Sequence, residues 1–268
     1  MSVPREIPTI AQRVLDALAA SGSLIVLLIA WELVARAGLI SAFLLPQFSS
    51  VVERIAEDAM SGALFGQLGL TLYRAIVGFL IAGMFGIVIG VLMARNRMVD
   101  VFFDPVISFG FPAPKIAFLP VFILWFGLFD LSKILMTVFA VIFPIIVATD
   151  AGTRGVDKFL VWSARNAGAS ERELLTEIVL PAALPQIFTG LQVALPISLI
   201  ITIVSEMVMG GNGLGSAMIT ASRFADSVGV FASIVEIAVA GFVLIKSMEV
   251  IRRWLLLWHQ ESQQISTV

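Results

Sequence analysis

The chain has 268 residues, 59% of them hydrophobic and 13% charged, with a formal net charge of −2. Soluble domains carry about 25% charged and about 45–50% apolar residues, so a soluble globule of this composition would expose large apolar patches; that class is excluded. The absence of cysteine, a single histidine (His259) and the lack of any long basic run exclude disulfides, thiolate chemistry, Cys/His metal centres and nucleic-acid binding. The expected fold class is an all-α integral membrane protein of about six transmembrane helices, because each span takes roughly 20 residues plus a connection.

Residues 1–22 read as an N-terminal segment carrying Arg5 and Arg13, and residues 23–258 as one transmembrane domain with a tail over 259–268. The first span, 23–39, is read as a retained helix rather than a cleaved signal, since its only A-x-A triplet holds Arg36 at the centre. Within "LLPQFSSVVERIAEDAMSG" (residues 44–62), apolar Val51, Val52, Ile55, Ala56 and Ala59 fall at helical spacing, with Glu53, Arg54, Glu57 and Asp58 on the other face. This predicts an amphipathic helix at the membrane surface. The second span, 68–94, holds Ala82, Gly86 and Gly90 at i, i+4 and i+8, a small-residue row that admits close helix packing.

Residues 99–129 are too long for one straight span and too short for two. Pro112, Pro114 and Pro120 fall here beside Lys115. Proline removes a backbone donor and disfavours helix at the preceding residue, so a broken helix is expected. Irregular backbone at membrane depth is tolerated where protein or a water-filled cavity covers it. These four residues are therefore candidates for lining a pathway, with Pro196 and Glu206 of the fifth span. The fourth span covers 131–149 and the fifth 184–209, with a kink expected at Pro196. The turn "GGNGLG" ends the fifth span, and the last covers 228–257. Arg74 and Glu206 are expected to snorkel at the outer boundary, and Lys246 and Glu249 to pair on one helix face.

Six spans put both termini on one side. With that alternation, ten basic residues fall on the side holding residues 150–181 and four (Arg36, Arg54, Lys133, Arg223) on the other, so the former side reads as cytoplasmic.

The cytoplasmic segment contains "GASERELLTEIVLP" at 168–181. Gly168 suits a tight turn. Ser170 and Glu173 have capping-box spacing, which predicts a helix starting at Ser170. Leu174, Leu175, Ile178 and Val179 form one apolar stripe with the charges facing away, and Pro181 and Pro185 are expected to separate this helix from the fifth span. Its residues suit either an interfacial helix on lipid headgroups or a docking knob for a cytoplasmic partner.

Gly168, Ile178 ten residues on, and Leu180-Pro181 resemble the EAA loop of ATP-binding-cassette (ABC) importer permeases. The E-A-A positions are Trp162-Ser163-Ala164, so only the last alanine is kept. "TLYRAIVGF", "PAPKIAFLPVFILWFG", "FPIIVATDAG", "ARNAGAS", "EIVLPAALPQIFTGL", "SEM" and "GNGLG" resemble, in that order, permeases of the sulfonate, taurine and nitrate group. The resemblance implies a type I ABC importer permease fold with a cytoplasmic coupling helix over 164–177. ATPase coupling would fall on Ala164, Arg165, Gly168, Ala169, Ser170, Glu171, Glu173, Leu174, Ile178, Leu180 and Pro181.

The implied partners are a second permease copy, two cytoplasmic ATPase subunits, a periplasmic or lipid-anchored solute-binding protein and membrane lipid. The implied location is a bacterial inner membrane, and the implied solute a small anion, with pyrimidine precursors and aromatic acids as alternatives. No cofactor, metal or catalytic residue is expected in this chain. None of its four lysines (Lys115, Lys133, Lys158, Lys246) follows glycine, so a P-loop is absent, and ATP and magnesium would sit on the partner ATPase. The rival readings are an ion-coupled transporter or channel, and a membrane enzyme. The first would need a membrane-depth carboxylate set or an inverted repeat. The second would need a nucleophile–base pair or metal cluster. Neither pattern stands out.

Overall fold

The computed structural model describes residues 10–256, with side chains from residue 22 onward. The tail with His259 and most of the predicted N-terminal segment lie outside the described side chains. The described residues are helical and contain no strand. Helix α1 (Ile10–Arg36) carries the predicted first span. Its Trp31 Nε1 donates to Pro46 O at 2.8 Å, and its Glu32 accepts from the Ser49 amide at 3.1 Å, fastening α1 to the start of α2 (Phe48–Met60).

Helix α2 is rotated from the face its apolar pattern predicts. Val51 is fully buried, but Val52 and Ala56 are exposed, while Arg54 and Asp58 are half-buried. The cause is a distant partner. Arg54 binds Asp226 at 2.9 Å as well as Asp58 at 3.1 Å, so the inward face follows Val51, Arg54, Ile55 and Asp58. Asp226 also caps the last helix by accepting from the Gly229 amide at 2.9 Å. That amide and the Arg54 guanidinium hold its carboxyl below the usual range.

Helix α3 (Ala63–Arg95) packs against α6 (Asp130–Arg154), and α6 against α9 (Leu180–Met209). The small residues make these approaches possible. A Cβ on Gly78 would lie 2.8 Å from Thr137 Cβ, one on Gly86 2.9 Å from Ile145 Cγ2, and one on Gly90 2.6 Å from Thr149 Cβ. The predicted row of Ala82, Gly86 and Gly90 is thus the contact line between α3 and α6. Met136, Val141, Ile145, Phe188, Ala194 and Leu195 fill the core behind it. Within that core, the Thr137 and Thr202 hydroxyls pair at 3.0 Å, satisfying two groups lipid could not.

Between α3 and α6 the predicted broken segment is present. Helix α4 (Arg97–Gly110) and α5 (Leu119–Phe126) are joined by a turn and a single 3-10 turn (Lys115–Phe118), bent by 95°. Pro105 lies inside α4, and Pro120 sits in the first turn of α5, where its missing donor costs nothing. After α6 come α7 (Lys158–Asn166), the short α8 (Glu171–Glu173), α9, α10 (Leu214–Arg223) and α11 (Ser227–Leu255). Among the described residues, four helical stretches are long and apolar enough to cross a membrane, and the α4–α5 pair makes a fifth. Against the six spans expected, the described residues therefore supply four, or five with the bent pair. Lys246 and Glu249 pair at 2.9 Å on α11, as their spacing predicts. Helix α9 runs unbroken through Pro185 and Pro196.

Candidate functional site

Two polar clusters stand at opposite ends of the bundle. The first is the corner between α6 and α9. Asp157 opens α7 by accepting from the Phe159 amide at 2.8 Å. Helix α7 closes at Ala167, and Gly168 follows with φ +92°. The Gly168 amide donates to Arg165 O at 2.9 Å and the Ala169 amide to Ala164 O at 3.1 Å. That pair of bonds is a Schellman closure, whose left-handed residue is best served by glycine.

Ser170 then caps α8. Its hydroxyl accepts from the Glu173 amide at 3.3 Å, while the Glu173 carboxylate accepts from the Ser170 amide at 2.7 Å. The predicted capping box is therefore complete. The Ser170 hydroxyl and amide hold the Glu173 carboxyl below its ordinary range. Glu171 sits between Arg165 at 2.5 Å and Arg95 at 2.6 Å, and these guanidiniums, Arg165 foremost, lower its carboxyl too. Nearby, Arg154 ties α6 to α4 through Asp100 at 2.6 Å. The C-termini of α3 and α6, the start of α4, and α7 are thus gathered at one end.

Two expectations for this corner are corrected. Residues 164–177 are not one helix: they comprise the end of α7, the Gly168 turn, and the start of a second helix. Nor do Pro181 and Pro185 separate that helix from the membrane span. From Glu171 to Met209 the chain is helical throughout, with a π-turn over Leu174–Val179. Pro181 cannot donate, and its ring crowds the carbonyl of Glu177. Widening the preceding turn to i→i+5 bonding lets the helix continue past it. The expected apolar stripe is present: Leu174 and Val179 are buried, Leu175 and Ile178 half-buried, and Glu171, Arg172, Glu173 and Glu177 exposed.

Of the predicted coupling residues, Ala164, Arg165, Gly168, Ala169, Ser170, Glu171 and Glu173 form the turn and its clamps, and Leu174, Ile178, Leu180 and Pro181 line the π-turn and the helix start. The retained alanine, Ala164, faces inward, whereas Trp162 and Ser163 face out.

The second cluster joins α3, α6 and α9 at the opposite end. Arg74 Nη1 meets Glu206 Oε1 at 2.5 Å, and its other nitrogens reach Asp130 Oδ1 at 2.7–2.9 Å. Glu206 also accepts from the Gly215 amide at 3.0 Å and lies 2.9 Å from the Thr71 hydroxyl. The Leu214 amide donates to Thr71 at 2.9 Å, Arg74 to Asn212 O at 2.6 Å, and Lys133 Nζ to Gly210 O at 2.7 Å. Gln67 accepts from the Gly213 amide.

The "GGNGLG" run is the turn between α9 and α10, with Gly210, Gly211 and Gly213 at positive φ. A Cβ on Gly213 would collide with the Glu206 carboxylate, so glycine here lets backbone amides close on a buried charge. Arg74 and Glu206 are buried, at 3% and 0% exposure, which replaces the expectation that they snorkel at the boundary. Thr71, Gln67, Lys133 and Asn212 also belong to this cluster, although the sequence pattern does not single them out. The available signal is the i, i+3 spacing of Thr71 and Arg74 in one apolar run.

The structure does not gather the candidate pathway residues in one place. Pro112 lines a cavity of about 450 Å³ at the corner end, with Asp100, Asp104, Phe111 and Asp150. Pro114 precedes the 3-10 turn, Lys115 donates to Phe111 O and lies 5.4 Å from the Phe143 ring centre, and Pro120 opens α5. Pro196 is half-buried within α9, and Glu206 is enclosed at the far end. At that far end a mixed polar cavity of about 440 Å³ opens between α2, α3, α10 and α11. No group of three or more His, Cys, Asp or Glu suited to a metal occurs among the described residues.

The described residues thus form an all-helical bundle with four or five segments of membrane-spanning length and a capped corner at the start of its longest helical stretch. Residues 86–256 match the family described as "Binding-protein-dependent transport system inner membrane component". The chain belongs to that family, the membrane permeases of ABC importers.

It is 34% identical to SsuC of Bacillus subtilis (strain 168), named for aliphatic sulfonates transport, over 87% of this chain and 84% of that protein. It is 33% identical to the taurine transport system permease protein TauC of Escherichia coli (strain K12), over 90% of each chain. The fold also matches a solved amino acid ABC transporter, with TM-score 0.59 and 17% identity over 78% of this chain and 97% of that one. An inward-facing MetNI methionine ABC transporter matches with TM-score 0.59 and 16% identity over 72% and 94%.

Proposed function

We propose that this permease forms the pathway of an ATP-driven importer for a small sulfonate or aminosulfonate, in which the Gly168 corner receives the motion of a cytoplasmic ATPase. The observation that carries the reading is the continuous helix from Glu171 to Met209. One end is clamped to the corner by Glu171, and the other holds Glu206 in the buried cluster. A push on the corner is therefore delivered along one rigid element to the far end of the bundle, and packed helices with two arrangements convert such a push into alternating access. In this reading two permease copies, paired as a homodimer, enclose the pathway. An external binding protein supplies the solute, two ATPase subunits hold ATP and magnesium, and both termini face the cytoplasm. The solute class rests on the names of the relatives.

The test is co-expression of the permease with a candidate ATPase and solute-binding protein of the same importer class. Gly168→Asp places a side chain at φ +92°, where no neighbouring atom lies within 4 Å of the added Cβ, so its effect comes from backbone strain and from a new negative charge at the turn rather than from a clash. Assembly in the membrane is expected to persist while solute-stimulated ATP hydrolysis is lost. Normal stimulation in that variant would defeat the coupling reading.

A further inference from the structure

The mixed polar cavity at the far end adjoins a second cavity of opposite character. The first, of about 440 Å³, has Arg54, Asp58, Gln67, Asn212, Asp226 and Glu236 in its lining. The second, of about 370 Å³, lies between α2, α3 and α11, with Leu68, Leu72, Val235, Val239, Val243 and Leu244 in its wall. Leu64 and Glu236 line both, so they stand where the polar cavity meets the apolar one. Val239 and Val243 are each 56% exposed, which makes the apolar cavity a groove open along the side of the bundle. From Glu236 to Ser247 it follows α11 for about 16 Å, at roughly 1.5 Å per residue. Both α3 and α11 are long and apolar enough to cross a membrane, so the groove runs from one end of the bundle into the lipid layer.

The polar cavity is lined by one cation and three acids. Arg54 is shared by Asp58 and Asp226, and Asp226 also accepts from the Gly229 amide. Glu236 is left over: its Oε1 is buried and has no hydrogen-bond partner among the described residues. The neighbouring Arg74, Asp130 and Glu206 are bound to one another, and Lys133 to Gly210 O. Glu53 and Glu57 lie on the exposed face of α2 and Arg223 is exposed on α10; none of the three lines either cavity. At the other end of the groove, Lys246 and Glu249 pair with each other.

We infer that the two cavities together bind a membrane lipid with a primary ammonium headgroup, of the phosphatidylethanolamine type. The ammonium donates to Glu236, and an acyl chain lies in the groove between α3 and α11. A buried carboxylate oxygen without a donor is costly, and a cationic donor removes that cost. An anionic headgroup would instead meet an excess of acids. Helix α2 spans the junction of head and tail, with Arg54 and Asp58 on the polar cavity and Ile55 on the apolar one. A short polar solute has nothing to bury in the groove, and the apolar face of a second permease copy would leave Glu236 without a donor. A quaternary ammonium has no N–H to give, so the site discriminates between zwitterionic headgroups. The inference goes beyond the transport reading and does not depend on it.

The experiment uses the full-length permease in nanodiscs holding phosphatidylethanolamine and phosphatidylcholine in equal amounts. Native mass spectrometry of the released protein reads which lipid is retained. The unaltered chain is expected to prefer phosphatidylethanolamine about tenfold, the worth of one hydrogen bond to a charged group. Glu236→Leu should bring the two lipids to parity, and Glu57→Gln, on the exposed face of α2, should leave the preference intact. Val243→Trp fills the groove and should lower retention of both lipids alike. The unfolding midpoint should be higher in phosphatidylethanolamine discs than in phosphatidylcholine discs, and Glu236→Leu should abolish that difference. The chain has no cysteine, so Val243→Cys carries a single nitroxide, which oxygen dissolved in the bilayer should relax. Equal retention of the two lipids by the unaltered chain, or an undiminished preference in Glu236→Leu, would overturn the inference. Displacement of the lipid by taurine would assign the cavities to a solute, and a nitroxide shielded from oxygen would assign the groove to a second copy; either result would overturn it as well.

Discussion

Arg74 and Glu206 lie 132 positions apart in sequence and 2.5 Å apart in the fold, both closed off from solvent. A buried ion pair contributes little net stability over an apolar replacement, but removing one partner strands the other charge. Arg74→Met is therefore expected to destabilise the protein by about 3–5 kcal/mol. Thermal unfolding of the purified permease should show it, with most of the loss recovered in Arg74→Met/Glu206→Met. A double variant no more stable than the single one would show that the cluster acts through Thr71 and the glycine amides rather than through the pair.

The α3–α6 contact makes a prediction about size. Gly90→Ala brings a Cβ to 2.6 Å from Thr149 Cβ and 2.8 Å from Ile146 O, so the helices must part. A cost of about 1–3 kcal/mol is expected from overpacking. Gly66, on the same helix, has nothing within 4 Å of an added Cβ. Gly66→Ala should be neutral or stabilising by up to about 1 kcal/mol, from helix propensity alone. Unfolding midpoints of the two variants should move in opposite directions or differ clearly in size. Equal shifts would refute the packing account.

Acidification should loosen the corner at a defined point. The Glu171 carboxyl is held below its ordinary value by Arg165 and Arg95, so the folded corner binds its proton less readily than the unfolded chain does. Its stabilising contribution is complete above the unfolded carboxyl value of about 4.3 and disappears as pH falls through the lower folded value. Amide protection over residues 164–175, corrected for intrinsic exchange, should be level from neutral pH to about 5 and drop below about 4. In Glu171→Gln the protection should be lower at neutral pH, and the Glu171-dependent part of the acid drop should vanish. An unchanged profile in that variant would show that the arginine clamp does not stabilise the turn.

Features confined to a few neighbouring residues are legible in the sequence. The capping box at Ser170 is a four-residue device, the Gly row shows at i, i+4 and i+8, and the prolines after Gly110 announce a break. Features that depend on distant partners are not. The inward turn of Arg54 on α2 is decided by Asp226, which the local apolar pattern does not contain. Arg74 and Glu206 read as boundary residues because each sits toward one end of a long apolar run, and only the α9–α10 turn encloses them. Pro181 and Pro185 read as breaks from their chemistry alone. The fold accommodates both, and a single widened turn before Pro181 leaves the helix intact.

That widened turn has a geometric effect on everything before it. One residue beyond the regular repeat turns the preceding stretch about 100° around the helix axis relative to a uniform α-helix. The bearing of Ser170, Gly168 and α7 is therefore keyed by the Leu174–Val179 turn, separately from the bearing of the helix that follows. The spacing of side chains along α9 cannot tell which compass direction the corner faces. Two relatives with identical α9 surfaces, one with the extra residue wound in and one without, would present their corners to a partner a quarter-turn or more apart.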